Sequence, residues 1–170
     1  MADENIEYGC IRLKFNPVKP EEIINAALYP LTSQIKDKQI ELHINIENTL
    51  PLISVDLEKI ILVMVSLIGN AIRYTPRWGS IFIRVNKIQN DVRFSVHDTG
   101  KGLKPETIEK VFDSIVNINA GLISPGPGLG LALTIAREIV LAHNGKIWAE
   151  SELGKGCNFF FSIPLKNGAP

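Results

Sequence analysis

Three groups of residues could do polar chemistry in this chain. Leu62, Ser66, Asn70 and Arg73 fall at i, i+4, i+8 and i+11 of one apolar-rich stretch, so they share a helical face. Asn70 and Arg73 thereby set an amide and a cation on one stripe beside a core. Taken alone, they are also an Arg suited to the negative end of a helix and an Asn at its wet edge. The second group is Asp98-Thr99-Gly100-Lys101-Gly102, directly after an alternating apolar stretch. A carboxylate at a strand end can accept from an exocyclic amine, and two glycines let backbone close around a ring. The same residues also suit an ordinary Asx-type turn. The third group is Gly126-Pro127-Gly128-Leu129-Gly130-Leu131, opening a long apolar helix. Free N–H groups at a helix start on Gly-rich backbone suit a phosphate. No strand leads into this run, so it is not a dinucleotide fingerprint, and no Gly-Lys-Ser/Thr follows, so it is not a Walker A loop. Its plainer reading is a loop closed by a helix cap.

These groups need elements to hold them. Alternation predicts strands over residues 11–15, 40–46, 81–85, 92–96, 146–150 and 158–163, the third and fourth forming a hairpin around Gln89-Asn90-Asp91. Residues 16–20 read as a turn. Apolar spacing predicts a helix over residues 21–38, with Pro30 forcing a kink or a displaced register. Asp56 caps a helix over 57–74, which ends before Thr75-Pro76. A short helix near 105–112, an irregular stretch over 117–127 and a helix over 130–143 stopped by Asn144-Gly145 complete the chain. Helices and antiparallel hairpins mix without βαβ alternation. The expected class is therefore α+β, a layered sandwich.

Length and composition narrow the function. The chain has 170 residues, which suits one folded domain, and 18 Lys+Arg balance 18 Asp+Glu. A nucleic-acid binder driven by a basic face needs surplus cations, so nucleic acid is not an expected partner. The longest strongly apolar stretch, residues 60–68, is interrupted by Ser66 and is far short of the ~20 residues of a membrane span. The acidic N-terminus lacks an apolar signal region. Cys10 and Cys157 are expected to be reduced thiols, and His43, His97 and His143 are too scattered for a Cys/His metal cluster.

Asn70-Ala71-Ile72-Arg73-Tyr74-Thr75-Pro76, then Asp98 to Leu103, then Phe112, then Gly128-Leu129-Gly130-Leu131-Ala132, then His143-Asn144-Gly145-Lys146-Ile147-Trp148 follow one another along the chain. This order resembles the catalytic ATP-binding domain of sensor histidine kinases, within the Bergerat (GHKL) superfamily, over about residues 15–165. The resemblance implies a two-layer α/β sandwich with a mixed sheet covered on one face by helices. It implies ATP and Mg²⁺ as ligands. Asp98 would take the adenine amine, with Tyr74, Gly100, Gly102 and Leu103 around the base. Asn70 and Arg73 would face the phosphates as the catalytic pair, with Asn70 and Ser66 toward the metal. Gly126, Gly128, Leu129, Gly130 and Leu131 would cradle the triphosphate beneath a lid over 117–127. The implied acceptor is a histidine on a separate helical dimerisation domain, since none of the three histidines lies in a His-Glu-Leu/Phe-Arg-type helix. From there the phosphoryl would pass to the receiver domain of a response regulator.

By the same resemblance, residues 1–9 are expected as the remnant of that helical domain, residues 10–166 as the catalytic domain and 167–170 as a tail. The implied location is cytoplasmic, whether or not within a membrane-anchored sensor, and the chain alone is expected as a monomer without membrane contact. Several positions depart from the family pattern. Ser66 replaces a usual Asn near Mg²⁺, and Leu62 replaces a polar Gln, Glu or His. Ile115 replaces a second Phe, Asn158 stands where Thr is common near the adenine, and the lid lacks Lys and Arg. Three readings follow: an active kinase module, a degenerate module that binds nucleotide or a partner without transferring phosphate, and a serine kinase of the same superfamily acting on an anti-sigma antagonist.

Overall fold

The structure, a computed structural model, describes residues 4–8, 11–112 and 129–165. The element order is β1 (Glu4–Tyr8), β2 (Ile11–Val18), α1 (Pro20–Leu28), a 3₁₀ turn (Tyr29–Leu31), α2 (Thr32–Asp37), β3 (Glu41–Ile46), β4 (Ile53–Val55) and α3 (Leu57–Tyr74). The chain continues with β5 (Ser80–Ile88), β6 (Asp91–Asp98), α4 (Pro105–Ile108), α5 (Leu129–Ala142), β7 (Lys146–Ser151) and β8 (Cys157–Pro164).

Five strands form one mixed sheet in the order β3-β5-β6-β8-β7, with β3 parallel to β5 and the other pairs antiparallel. Alternation decides what each strand buries. Ile81, Ile83 and Val85 of β5, Val92, Phe94 and Val96 of β6, and Phe159, Phe161 and Ile163 of β8 all join one core. Phe94 and Phe161 are paired across two strands and stack at 4.6 Å. Helix α3 lays Ile60, Val63, Met64, Leu67, Ile68 and Ala71 against this layer, at the spacing of one helical face. It packs between α1 and α5. The result is a two-layer α+β sandwich with its helices on one side of the sheet.

Asp56 caps α3 as expected, its Oδ1 accepting the N–H of Lys59 at 3.2 Å. Pro30 sits in the 3₁₀ turn that separates α1 from α2, which is the predicted interruption. Three expectations need correction. Residues 16–18 continue β2 instead of turning, because they pair with β4, a three-residue strand too short to show alternation. Residues 4–8, expected as the last turn of a helical remnant, form β1 and pair antiparallel with β2. The short helix near 105–112 is confined to Pro105–Ile108.

Candidate functional site

The position of Asp98 follows from strand parity. Val92, Phe94, Val96 and Asp98 share the helix-facing side of β6, so the carboxylate is carried into the interior and is only 1% exposed. Its Oδ1 accepts the N–H of Gly100 at 2.8 Å and that of Cys157 at 3.3 Å. Its Oδ2 is buried without any hydrogen-bond partner. Burial pushes the carboxyl above its ordinary range, opposed by the two N–H donors. A buried acceptor of this kind is costly unless a ligand donor completes it.

Asp98 lines a cavity of about 370 Å³, within the size range of small-molecule sites. The last turns of α3 contribute Asn70, Arg73 and Tyr74, and the segment after β6 contributes Lys101, Gly102 and Leu103. Cys157 and Phe159 of β8 close it. Asn70 is 2% exposed although polar, so it is committed to the cavity and not to solvent. Burial pushes the Tyr74 phenol up, and it remains a neutral donor. Gly102 adopts φ +76°, and a Cβ there would run into the carbonyl of Glu152, so only glycine fits. Ser151 fixes the same loop, with Oγ accepting the N–H of Leu103 at 2.7 Å and donating to the carbonyl of Gly156 at 2.9 Å.

A larger groove of about 800 Å³ lies on the helix-free face, among Phe82, Arg84, Arg93, His97, Asn158 and Phe160. Size does not make it the site. The smaller cavity is lined by Asp98, whose carboxylate has a buried oxygen without a partner. The groove is lined by Arg93, His97 and Asn158, whose Nε, Nδ1 and Oδ1 are also buried without partners, but none of these three atoms is a carboxylate oxygen.

The structure therefore brings together Asn70, Arg73, Tyr74, Asp98, Gly102 and Leu103, while Gly100 binds Asp98 from behind. Ser66 shares the face of α3 one turn before Asn70 but does not line the cavity, and Leu62 is 51% exposed beyond it. Leu129, Gly130 and Leu131 form the first turn of α5. Gly126, Gly128, Ile115 and the expected lid over 117–127 lie outside the described residues. Asn158, expected near the adenine, is a correction: it lines the groove on the opposite side of the sheet, and its neighbour Cys157 lines the smaller cavity. A one-residue shift along a strand reverses the face, so motif proximity alone could not choose between them. Cys157, Phe159 and Lys101 line the cavity and Ser151 holds its loop without being site candidates in the sequence. The alternation of β8 could have singled out Cys157 and Phe159 together.

None of the three histidines lines the cavity. His43 is on edge strand β3 and pairs with Glu41 at 3.0 Å. His97 faces the helix-free groove, and His143 is fully buried at the end of α5. Among the described residues no group of three or more His, Cys, Asp or Glu could hold a metal. No helix among them is long and apolar enough to cross a membrane.

This fold, with a buried strand-end carboxylate facing the polar end of a helix, defines an ATP-binding domain of the Bergerat type. Residues 55–167 match the family described as histidine kinase-, DNA gyrase B-, and HSP90-like ATPase, and the chain belongs to it. The adaptive-response sensory kinase SasA of Synechococcus sp. (strain JA-2-3B'a(2-13)) is 38% identical over 144 residues, covering 84% of this chain and 38% of that protein. Full-length ShkA in complex with AMPPNP superposes with a TM-score of 0.81 at 28% identity, covering 95% of this chain and 33% of that one. Histidine kinase ThkA, in complex with the response regulator protein TrrA, gives 0.75 at 28%, over 91% and 42%. The domain is thus the catalytic ATP-binding type found in sensor histidine kinases, and it spans about two fifths of the SasA relative's length.

Proposed function

We propose that this chain is the ATP-binding catalytic module of a two-component sensor histidine kinase, passing the γ-phosphoryl of ATP to a histidine on a separate helical dimerisation domain. The unpartnered, buried Oδ2 of Asp98 carries the reading. It offers a carboxyl oxygen as acceptor where the C6 amine of adenine can donate, with Leu103 and Phe159 as apolar walls. The base, so anchored, directs its phosphates toward Asn70 and Arg73, which hold and neutralise them. Phosphoryl transfer needs positioning and charge stabilisation more than covalent help, and these two side chains supply both. Mg²⁺ would neutralise the β- and γ-phosphates, and it suits a site with few protein ligands, here the Asn70 carboxamide with Ser66 nearby. The use of ATP supports a cytoplasmic location for the domain.

The downstream partner is the receiver domain of a response regulator, a reading supported by the pairing of ThkA with TrrA. A second reading has one observation in its favour. Leu62 points to solvent and Ser66 stands off the cavity, so the metal side of the site is thin while the base side is complete. A degenerate module that binds nucleotide and regulates without transfer fits that asymmetry. Incubating the chain with γ-labelled ATP and its native helical domain, supplied in trans, separates the two. Label on the domain's histidine supports transfer; ATP binding without label supports the degenerate module.

A further inference from the structure

The C-terminal turn of α3 carries Arg73 and Tyr74 into the cavity, and a helix leaves its last four carbonyls without helical partners. One side chain from another element meets most of that need. The ammonium of Lys38, just after α2, donates to the carbonyls of Ile72 at 2.8 Å, Arg73 at 3.2 Å and Thr75 at 2.9 Å. All three of its donors are thereby used. The carbonyl of Ala71 is taken by the N–H and Oγ1 of Thr75.

The remaining carbonyl, that of Tyr74, abuts Gly100 so closely that a Cβ on Gly100 would collide with it. Gly100 in turn donates its N–H to Oδ1 of Asp98. The end of α3 and the adenine-reading carboxylate are therefore in register through one glycine. Lys38 is itself fixed from both sides, its N–H donating to Gln34 and its carbonyl accepting the N–H of Trp78 at 3.0 Å. Its charge also lies at the negative end of the α3 dipole, the end that phosphates near Asn70 and Arg73 would meet.

We propose that Lys38 is a positioning residue for nucleotide binding, setting the end of α3 against Gly100 and Asp98 without touching the ligand. This rests on the cavity being the ATP site. Lys38→Met keeps the stem and removes the donors; Lys38→Arg keeps charge and donors. Calorimetry with ATP on the full chain is read beside the amide resonances of Gly100 and Cys157, both bonded to the Asp98 carboxylate. In folded, nucleotide-free Lys38→Met both resonances move, ATP binding weakens about tenfold, and Lys38→Arg restores most of each. Unchanged resonances and unchanged ATP affinity in folded Lys38→Met, with only its melting temperature lowered, overturn the proposal. Should Lys38→Met fail to fold, Lys38→Gln is read by the same two criteria. Asp98→Asn runs alongside: if it binds ATP like the wild type, the ATP site itself is wrong. If it loses ATP while Lys38→Met does not, only the role of Lys38 fails.

Discussion

Cys157 donates its backbone N–H to Oδ1 of Asp98 at 3.3 Å while its side chain helps wall the same cavity. Together with the Gly100 N–H, this holds one carboxylate oxygen and leaves the other without a partner. The empty protein bears the cost of that arrangement. Burial raises the folded-state pKa of Asp98 above its ordinary 3.8, so the folded state holds the proton longer as pH rises. Stability is therefore lost as pH climbs from about 4 through the raised value. Asp98→Asn, which removes the charge, is expected to raise the nucleotide-free melting temperature at pH 7 and to bring it closer to the value at pH 4. A lower melting temperature at pH 7 would contradict a strained carboxylate.

The Cys157 thiol is pushed up to about 12, chiefly by burial and then by the neighbouring Asp98 charge. At pH 8 about one thiol in 10⁴ is then thiolate, and the thiolate is the nucleophile. In a Cys10→Ser background, iodoacetamide should leave native Cys157 unmodified and label it rapidly in denaturant. Fast native labelling at pH 8 would mean the thiol is neither buried nor beside the carboxylate.

His143 links distant parts of the chain. Its Nδ1 faces the carbonyl of Ile139 at 2.8 Å and so carries the proton, which leaves Nε2 to accept the N–H of Asp56 at 3.0 Å. Asp56 Oδ2 accepts from the N–H of Lys14, and the Phe15 ring lies edge-on to the imidazole at 5.3 Å. Burial lowers the His143 pKa against smaller opposing effects of Ile139 and Asp56. Below about pH 6.5 the unfolded chain takes up a proton that the folded one refuses, so stability falls as pH drops through that value. His143→Phe leaves the Asp56 N–H without its acceptor and should cost about 1–3 kcal/mol at pH 7.5. It should also flatten the fall in denaturation midpoint between pH 7 and 5. An unchanged pH slope would acquit His143.

Ser66 tests the metal side. Its hydroxyl is shorter than a carboxamide and does not line the cavity, so ATP affinity should differ less than tenfold, about 1.4 kcal/mol, between Mg²⁺ and excess chelator. Ser66→Asn should widen that ratio. A strong Mg²⁺ dependence in the wild type, left unchanged by Ser66→Asn, would mean that another residue holds the ion.

What could be read from the chain divides along physical lines. The bounds of α3 were legible because Asp56 caps it and Thr75-Pro76 ends it. Asp98 was legible because a strand, a carboxylate and two glycines stand together. Tyr74 and Leu103 followed from the family pattern. β4 was hidden because three residues show no period and its stability comes from pairing with β2. The family resemblance implies a helical end at the start of the chain, but pairing with β2 makes residues 4–8 a strand. The family pattern points to Asn158 and not Cys157, because adjacent strand residues face opposite sides and only the register of β8 on β6 tells which is which. The role of Lys38 depends on contacts some 35 residues away, which local spacing cannot express.

The central claim is that Asp98 reads the adenine amine. Guanine presents a carbonyl oxygen at C6, which would face the carboxylate as a second acceptor. Isothermal titration of the full chain with ATP and with GTP, repeated in Asp98→Asn, tests this directly. The wild type should prefer ATP by at least tenfold, and Asp98→Asn should lose roughly 1.5–3 kcal/mol of ATP binding and most of that preference. Equal binding of ATP and GTP by the wild type, or full ATP affinity in a folded Asp98→Asn, would contradict it.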